Sequence, residues 1–174
     1  MKDSDVRLEL GSGSDILSIY IGDAIQVITF EELRKIWKDL DNVEPTDIEY
    51  DIEYINAVDY DEKVVCCAYV SEGQGGIVFV WDTSLKQIIH YSNGCFAIKA
   101  AIHNDMVYVL RLVSYWGVKA HLEFDYCALG TKSCEIEPTS IPLPEEIANS
   151  LVDDFNDYEI SFDNNDQPNV IIKR

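Results

Sequence analysis

Basic residues are scarce in this chain: 13 Lys and Arg stand against 32 Asp and Glu, a net charge of −19. A surface so short of cations cannot neutralise a phosphate backbone or an anionic bilayer, so nucleic acid and membrane are excluded as partners. Long apolar runs are missing as well. No stretch approaches the roughly 20 residues of a membrane helix, and the opening MKDSDVRLELGSGSD lacks the apolar run of a secretory signal. The expectation is a soluble, cytoplasmic protein.

Signatures of chemistry are also few. The histidines are His90, His103 and His121, each beside apolar residues, and they read as structural. The five cysteines, Cys66, Cys67, Cys95, Cys127 and Cys134, are odd in number and contain no C-x-x-C spacing. That argues for reduced thiols, several of them buried, with neighbours such as Cys66 and Cys67 on opposite faces of a strand. A Cys–His pair can be assembled from this set, but no local signature selects one. GSGS and GQGG lack the Lys and following helix of a phosphate loop, and DNNDQ lacks the Gly and closing Glu of a calcium loop. The expectation is no enzyme, no cofactor and no metal.

What is present is β pattern. Hydrophobic residues make up 47% of 174 residues, enough for one domain with a core, spanning 1–174. In ILSIYIGDAIQVITF, Gly22-Asp23 separates two short strands. TFEELRKIWKDL changes period: Thr29 and Glu32 make a capping-box pattern, and Phe30, Leu33, Trp37 and Leu40 share one face of a helix over about 30–40. From Ile48, apolar Ile48, Tyr50, Ile52 and Tyr54 alternate with Glu49, Asp51 and Glu53, the pattern of a half-buried strand. Residues 63–137 are almost continuous strand, in runs KVVCCAYV, GIVFVWD, KQIIHYS, CFAIKAAI, DMVYVLRLVSYW, VKAHLEFDY and KSCEIEP, joined by short turns. A Pro144-marked helix follows, with Ile147, Leu151 and Phe155 facing inward, and then a hairpin whose turn is DNNDQP.

Two segments of the strand-rich middle can be laid over each other, with Trp81-Asp82 matching Phe124-Asp125, 43 residues apart. These units resemble consecutive blades of a propeller of the WD type, whose period is about 40–45 residues. The resemblance covers 63–137, and no third copy flanks it, too few for a ring of about four or more blades. The expected fold is α+β, mainly antiparallel β: a twisted meander sheet, like a sandwich or half-barrel, with two short helices packed on it. Trp81 then reads as core and Asp82 as a turn former.

Charge is distributed unevenly. Residues 1–62 carry net −12, the meander 63–143 carries −1, and 144–174 carry −6. Residues 39–62 hold ten acids and no base, and 153–166 hold six more, again without a base. Carboxylates on one strand face stand about 6.6 Å apart and repel, a surface that a cationic partner would relieve. The candidate contact residues are Asp47, Glu49, Asp51, Glu53, Asp59, Asp61 and Glu62 with Tyr50, Tyr54 and Tyr60, then Asp153, Asp154, Asp157 and Tyr158. In size and composition, through DLDNVEPTDIEYDIEYINAVDYDE and DDFNDYEISFDNND, the chain is similar to the acidic immunity proteins of bacterial toxin–immunity systems, including contact-dependent inhibition. That resemblance implies a protein that binds and blocks a cognate basic toxin domain of nuclease type, and the expected state of the chain is a monomer or weak dimer. The alternative is a stand-alone β-rich interaction or ligand-binding domain.

Overall fold

A computed structural model describes residues 6–10, 16–37, 52–60, 63–70 and 76–173. Gly22 takes a left-handed φ of 57° at the tip of the first hairpin, a conformation open to glycine at little cost. The hairpin joins β2 (Ile16–Ile21) to β3 (Ala24–Thr29), and β1 (Val6–Leu10) completes a three-stranded antiparallel sheet. Helix α1 (Phe30–Trp37) begins where the sequence places it. The Thr29 amide donates to Glu32 Oε2 at 2.9 Å and the Glu32 amide donates to Thr29 Oγ1 at 3.3 Å, a reciprocal capping box. Ile36 carries the helix onto the core, and residues 38–40 of the expected helix lie outside the described residues.

The long meander divides into two four-stranded antiparallel sheets. The second sheet orders β4 (Ile52–Tyr60), β5 (Lys63–Val70), β6 (Gly76–Asp82) and β7 (Gln87–Asn93). The third orders β8 (Ala97–His103), β9 (Met106–Val113), β10 (His121–Ala128) and β11 (Thr139–Ile141). A fourth sheet is the terminal hairpin of β12 (Tyr158–Phe162) and β13 (Pro168–Ile172), its turn at the expected DNNDQ. The mainly antiparallel β class is therefore as expected. A propeller blade is also a four-stranded antiparallel sheet; the second and third sheets are two such consecutive meanders, while the first and fourth, of three and two strands, do not repeat them.

The sheets stack face to face, and strand alternation decides which side chain enters which layer. Val64, Cys66, Ile77, Phe79 and Trp81 meet Leu17, Ile19 and Ile28 of the first sheet. Their neighbours Val65, Cys67, Val78 and Val80 point the other way, against Ala100, Ile102, Val107 and Val109 of the third. Tyr108, Leu110, Leu122 and Phe124 then face Tyr158 and Val170 of the fourth. Cys66 and Cys67 thus serve two different layers, as the strand geometry requires. In the middle of the two central sheets both faces are covered, so β6, β8 and β9 are apolar almost throughout. Charge is costly there, which accounts for its scarcity in the middle of the chain but not for its sign on the flanks.

Three expectations change. KSCEIEP is no strand. Lys132 makes a single parallel bridge to Tyr91, and the adjoining backbone bonds run from Tyr91 N to Thr131 O and from Ser133 N to Tyr91 O. This segment is taken up by the edge of the second sheet, so the fourth strand of the third sheet is supplied later, after Pro138. The run ending in Ser114-Tyr115-Trp116 leaves the sheet at Val113. The helix near Pro144 is one turn only, α2 (Glu145–Ala148), capped by Asn149. With the helical phase lost, Leu151 is 55% exposed, while Ile147, Val152 and Phe155 pack inward. No helix among the described residues is long and apolar enough to cross a membrane.

Candidate functional site

Of the candidate contact residues, Asp47, Glu49, Tyr50, Asp51, Asp61 and Glu62 lie outside the described residues. Glu53, Tyr54, Asp59 and Tyr60 lie on β4, the outer strand of the second sheet. The β4–β5 register shifts between Ile52 and Tyr54, with Glu53 as the additional residue, so the two-residue period does not run unbroken through Tyr54.

The C-terminal candidates separate into different roles. Asp153 and Asp154 are exposed, and the Asp154 carboxylate accepts from the Asn156 amide at 2.8 Å, capping a short 3₁₀ turn. Asp157 is half-buried, and its carbonyl accepts from the Lys173 amide at 2.7 Å. Tyr158 is 2% exposed and belongs to the core rather than to a surface. Its hydroxyl donates to the Ser150 carbonyl at 3.0 Å and accepts from the Val152 amide at 3.2 Å, tying down the segment after α2. Strand alternation puts it in the layer facing Phe124, so it supports the acidic segment from beneath. Further along, Asp163 organises the hairpin turn, Asp166 meets His103 Nε2 at 2.8 Å, and Glu159 pairs with Lys173 at 2.8 Å. Several acids of 153–166 are therefore already engaged within the fold.

The structure does bring one Cys–His pair together. Cys127 Sγ lies 4.0 Å from His90 Nε2, with Ser92 Oγ 3.1 Å from the same nitrogen. Burial holds the His90 imidazole down at about 4, only partly offset by the Ala128 carbonyl, and its Nδ1 has no hydrogen-bond partner. Burial also pushes the Cys127 thiol up, against smaller opposing effects of Ser92 and Thr131. Cys66, Cys95 and Cys67 are raised by burial too, Cys67 to about 12. At neutral pH the pair is therefore thiol and neutral imidazole, without the thiolate that nucleophilic attack requires. Among the described residues no three His, Cys, Asp or Glu side chains converge to hold a metal ion. A shallow groove of about 260 Å³ between α1 and β7, floored by Ile36, Ile88 and Tyr91, is below the usual size of a pocket for drug-sized ligands.

Sequence reasoning missed two features. The first is the buried pair of Arg111 and Asp125, 8% and 7% exposed. Arg111 Nε and Nη2 donate to the Asp125 carboxylate at 2.5 and 3.1 Å, while Nη1 and Nη2 donate to the carbonyls of Cys95 and Asn93 at 2.7 and 2.9 Å. A lone Arg in the apolar run VYVLRLV was its signal. The second is an exposed aromatic pair, Tyr115 and Trp116, signalled by the Gly117 that follows and takes a left-handed φ of 85°.

No family model, curated protein or solved structure matches the chain. Function therefore rests on its own residues and geometry.

Proposed function

We propose that this chain is a non-catalytic acidic binding protein that covers and neutralises a basic partner, in the manner of bacterial immunity proteins that block a cognate nuclease-type toxin domain. One observation carries the reading: the flanks are net −12 and −6 around a middle of −1. Double-sided burial of the central sheets explains why charge is displaced to the flanks, but a displaced charge can have either sign. An excess of one sign opposes folding through self-repulsion, and a cationic partner relieves it on binding. Occupying the groove in which a nuclease holds phosphate requires such a surface.

The test is growth rescue. The product of the reading frame immediately upstream is expressed in a sensitive host, with and without this chain. Rescue is expected from the wild type, and loss of rescue from a variant carrying Lys at Glu49, Asp51, Glu53 and Asp61. In vitro the complex should weaken steeply as salt rises through the physiological range. Equal rescue by the Lys variant places the contact elsewhere; an upstream product with no basic, growth-inhibiting domain overturns the reading.

A further inference from the structure

Arg111 links the interior of the third sheet to an aromatic feature on its surface. Two of its acceptors, the carbonyls of Asn93 at the end of β7 and of Cys95 in the connection to β8, bracket the passage between the two sheets. That connection is pinned further by Gly94 N donating to Gly76 O at 2.8 Å and by Leu112 N donating to Phe96 O at 2.9 Å. Phe96, at φ 60°, is thereby presented to Tyr115, which stacks on it at 6.1 Å with the rings 28° apart. Trp116 follows, 102% exposed, beside Tyr115 at 57%. Tryptophan is mostly buried in folded proteins, and here it stands in water on a turn braced by a neighbouring ring and a buried ion pair.

The same end of the third sheet carries acid. Lys119 Nζ of this turn reaches Asn149 Oδ1 at 3.4 Å, and α2 packs on β10. Residues 144–157 contain Glu145, Glu146, Asp153, Asp154 and Asp157 and no base. The turn's own charged group is Lys119, and His121 and Glu123 at the start of β10 are paired with each other. Leu151, within that acidic segment, is exposed as well. An aromatic turn at the same end of the sheet as an acidic segment that contains no base suits a guanidinium, which stacks on a ring and pairs with a carboxylate at once, better than an ammonium.

We propose that Tyr115 and Trp116, together with the acidic segment after α2, form the docking surface for an arginine-rich segment of a basic protein. This rests on the reading of the chain as a binder of basic proteins and adds the place and the chemistry of contact. The probes are nona-arginine and nona-lysine peptides, titrated calorimetrically at low salt into the full chain. Nona-arginine should bind the wild type more tightly. W116A should weaken nona-arginine about two- to fivefold and Y115A/W116A further, with nona-lysine less affected. W116F should restore most of the preference, and the melting temperature of W116A should not move, since Trp116 is fully exposed. If Y115A/W116A binds both peptides as the wild type does, while Lys at Glu49, Asp51, Glu53 and Asp61 abolishes binding, the aromatic surface is wrong and the basic-partner reading survives. If the wild type binds neither peptide, both fall.

Discussion

Asp82 and Asp125 occupy corresponding places, each following an aromatic residue in the third strand of a four-stranded sheet. Trp81 and Phe124 are alike in being buried. The aspartates are not alike. Asp82 ends its strand, where its carboxylate accepts from the Ser84 and Leu85 amides at 2.9 and 2.8 Å and shapes the turn. Asp125 lies within its strand and forms the buried pair with Arg111. The difference comes from the neighbouring strand. Asp82 is opposite Lys63 at the sheet's end, whereas Asp125 is diagonal to Arg111, whose own register partner is Glu123. An aromatic-Asp pair thus marks a position in a meander and does not fix the task performed there.

The strongest way to break this comparison is at Asp125. D125A leaves the Arg111 guanidinium buried with two carbonyls and no counter-charge, which should cost about 3–5 kcal/mol of stability in urea unfolding. A double variant, R111M/D125L, should recover most of that loss, because well-packed apolar replacements remove the desolvation cost as well as the attraction. If D125A unfolds at the wild-type midpoint, the pair contributes nothing to the fold.

Much of the layered fold was legible, because alternation and turn chemistry act locally. Gly22-Asp23, the capping box at Thr29 and Glu32, and the opposite facing of Cys66 and Cys67 all follow from short-range geometry. The division into stacked sheets was not legible. A strand covered on both faces loses its polar phase, so β6 gives no sign of which side chains go to which layer. Ions buried across strands are equally hidden, since Arg111 and Asp125 meet only once register is set. At the candidate surface, Tyr158 is hidden for a related reason: it stands among acids in the sequence, yet its side chain is buried in the core.

The two central sheets also meet at His90, whose imidazole reaches toward Cys127 of the neighbouring sheet. Its value is about 4 folded and 6.5 when unperturbed, so between those values the unfolded chain binds more protons. Stability is complete above about pH 6.5 and is lost as pH falls toward 4, by up to about 3 kcal/mol. Carboxylates titrate in the same range, so the readout is the difference between the wild type and H90Q. The wild-type curve should fall more steeply below pH 6.5; parallel curves would remove His90 from the account.

Where β7 passes to β8, Gly94 comes against the backbone of Ile77. A Cβ added there would lie 2.3 Å from the Ile77 carbonyl carbon and 2.6 Å from its Cα. Backbone cannot rotate away as a side chain can, so G94A should cost about 2–3 kcal/mol and move the second sheet against the third. Gly117, with nothing within 4 Å of such an atom, should suffer only the strain of its left-handed φ when changed to Ala. Melting curves of the two variants separate crowding from conformation, and equal losses would deny the close approach at Gly94.

The smallest expected effect returns to Asp82. Its hydrogen bonds to the Ser84 and Leu85 amides are exposed, so water replaces what a substitution removes. D82A should therefore cost only about 1 kcal/mol, and D82N, whose amide oxygen still accepts from both amides, less again. D125N presents the same isosteric change in the other sheet. There it removes the charge that offsets a buried guanidinium and turns a donor group toward Arg111. Comparing D82N with D125N in urea unfolding holds the chemistry fixed and varies only the surroundings. A loss confined to D125N means the ion pair sets the difference between the two sheets. Equal losses would mean the two aromatic-Asp corners are equivalent, and that the partner strand does not decide their roles.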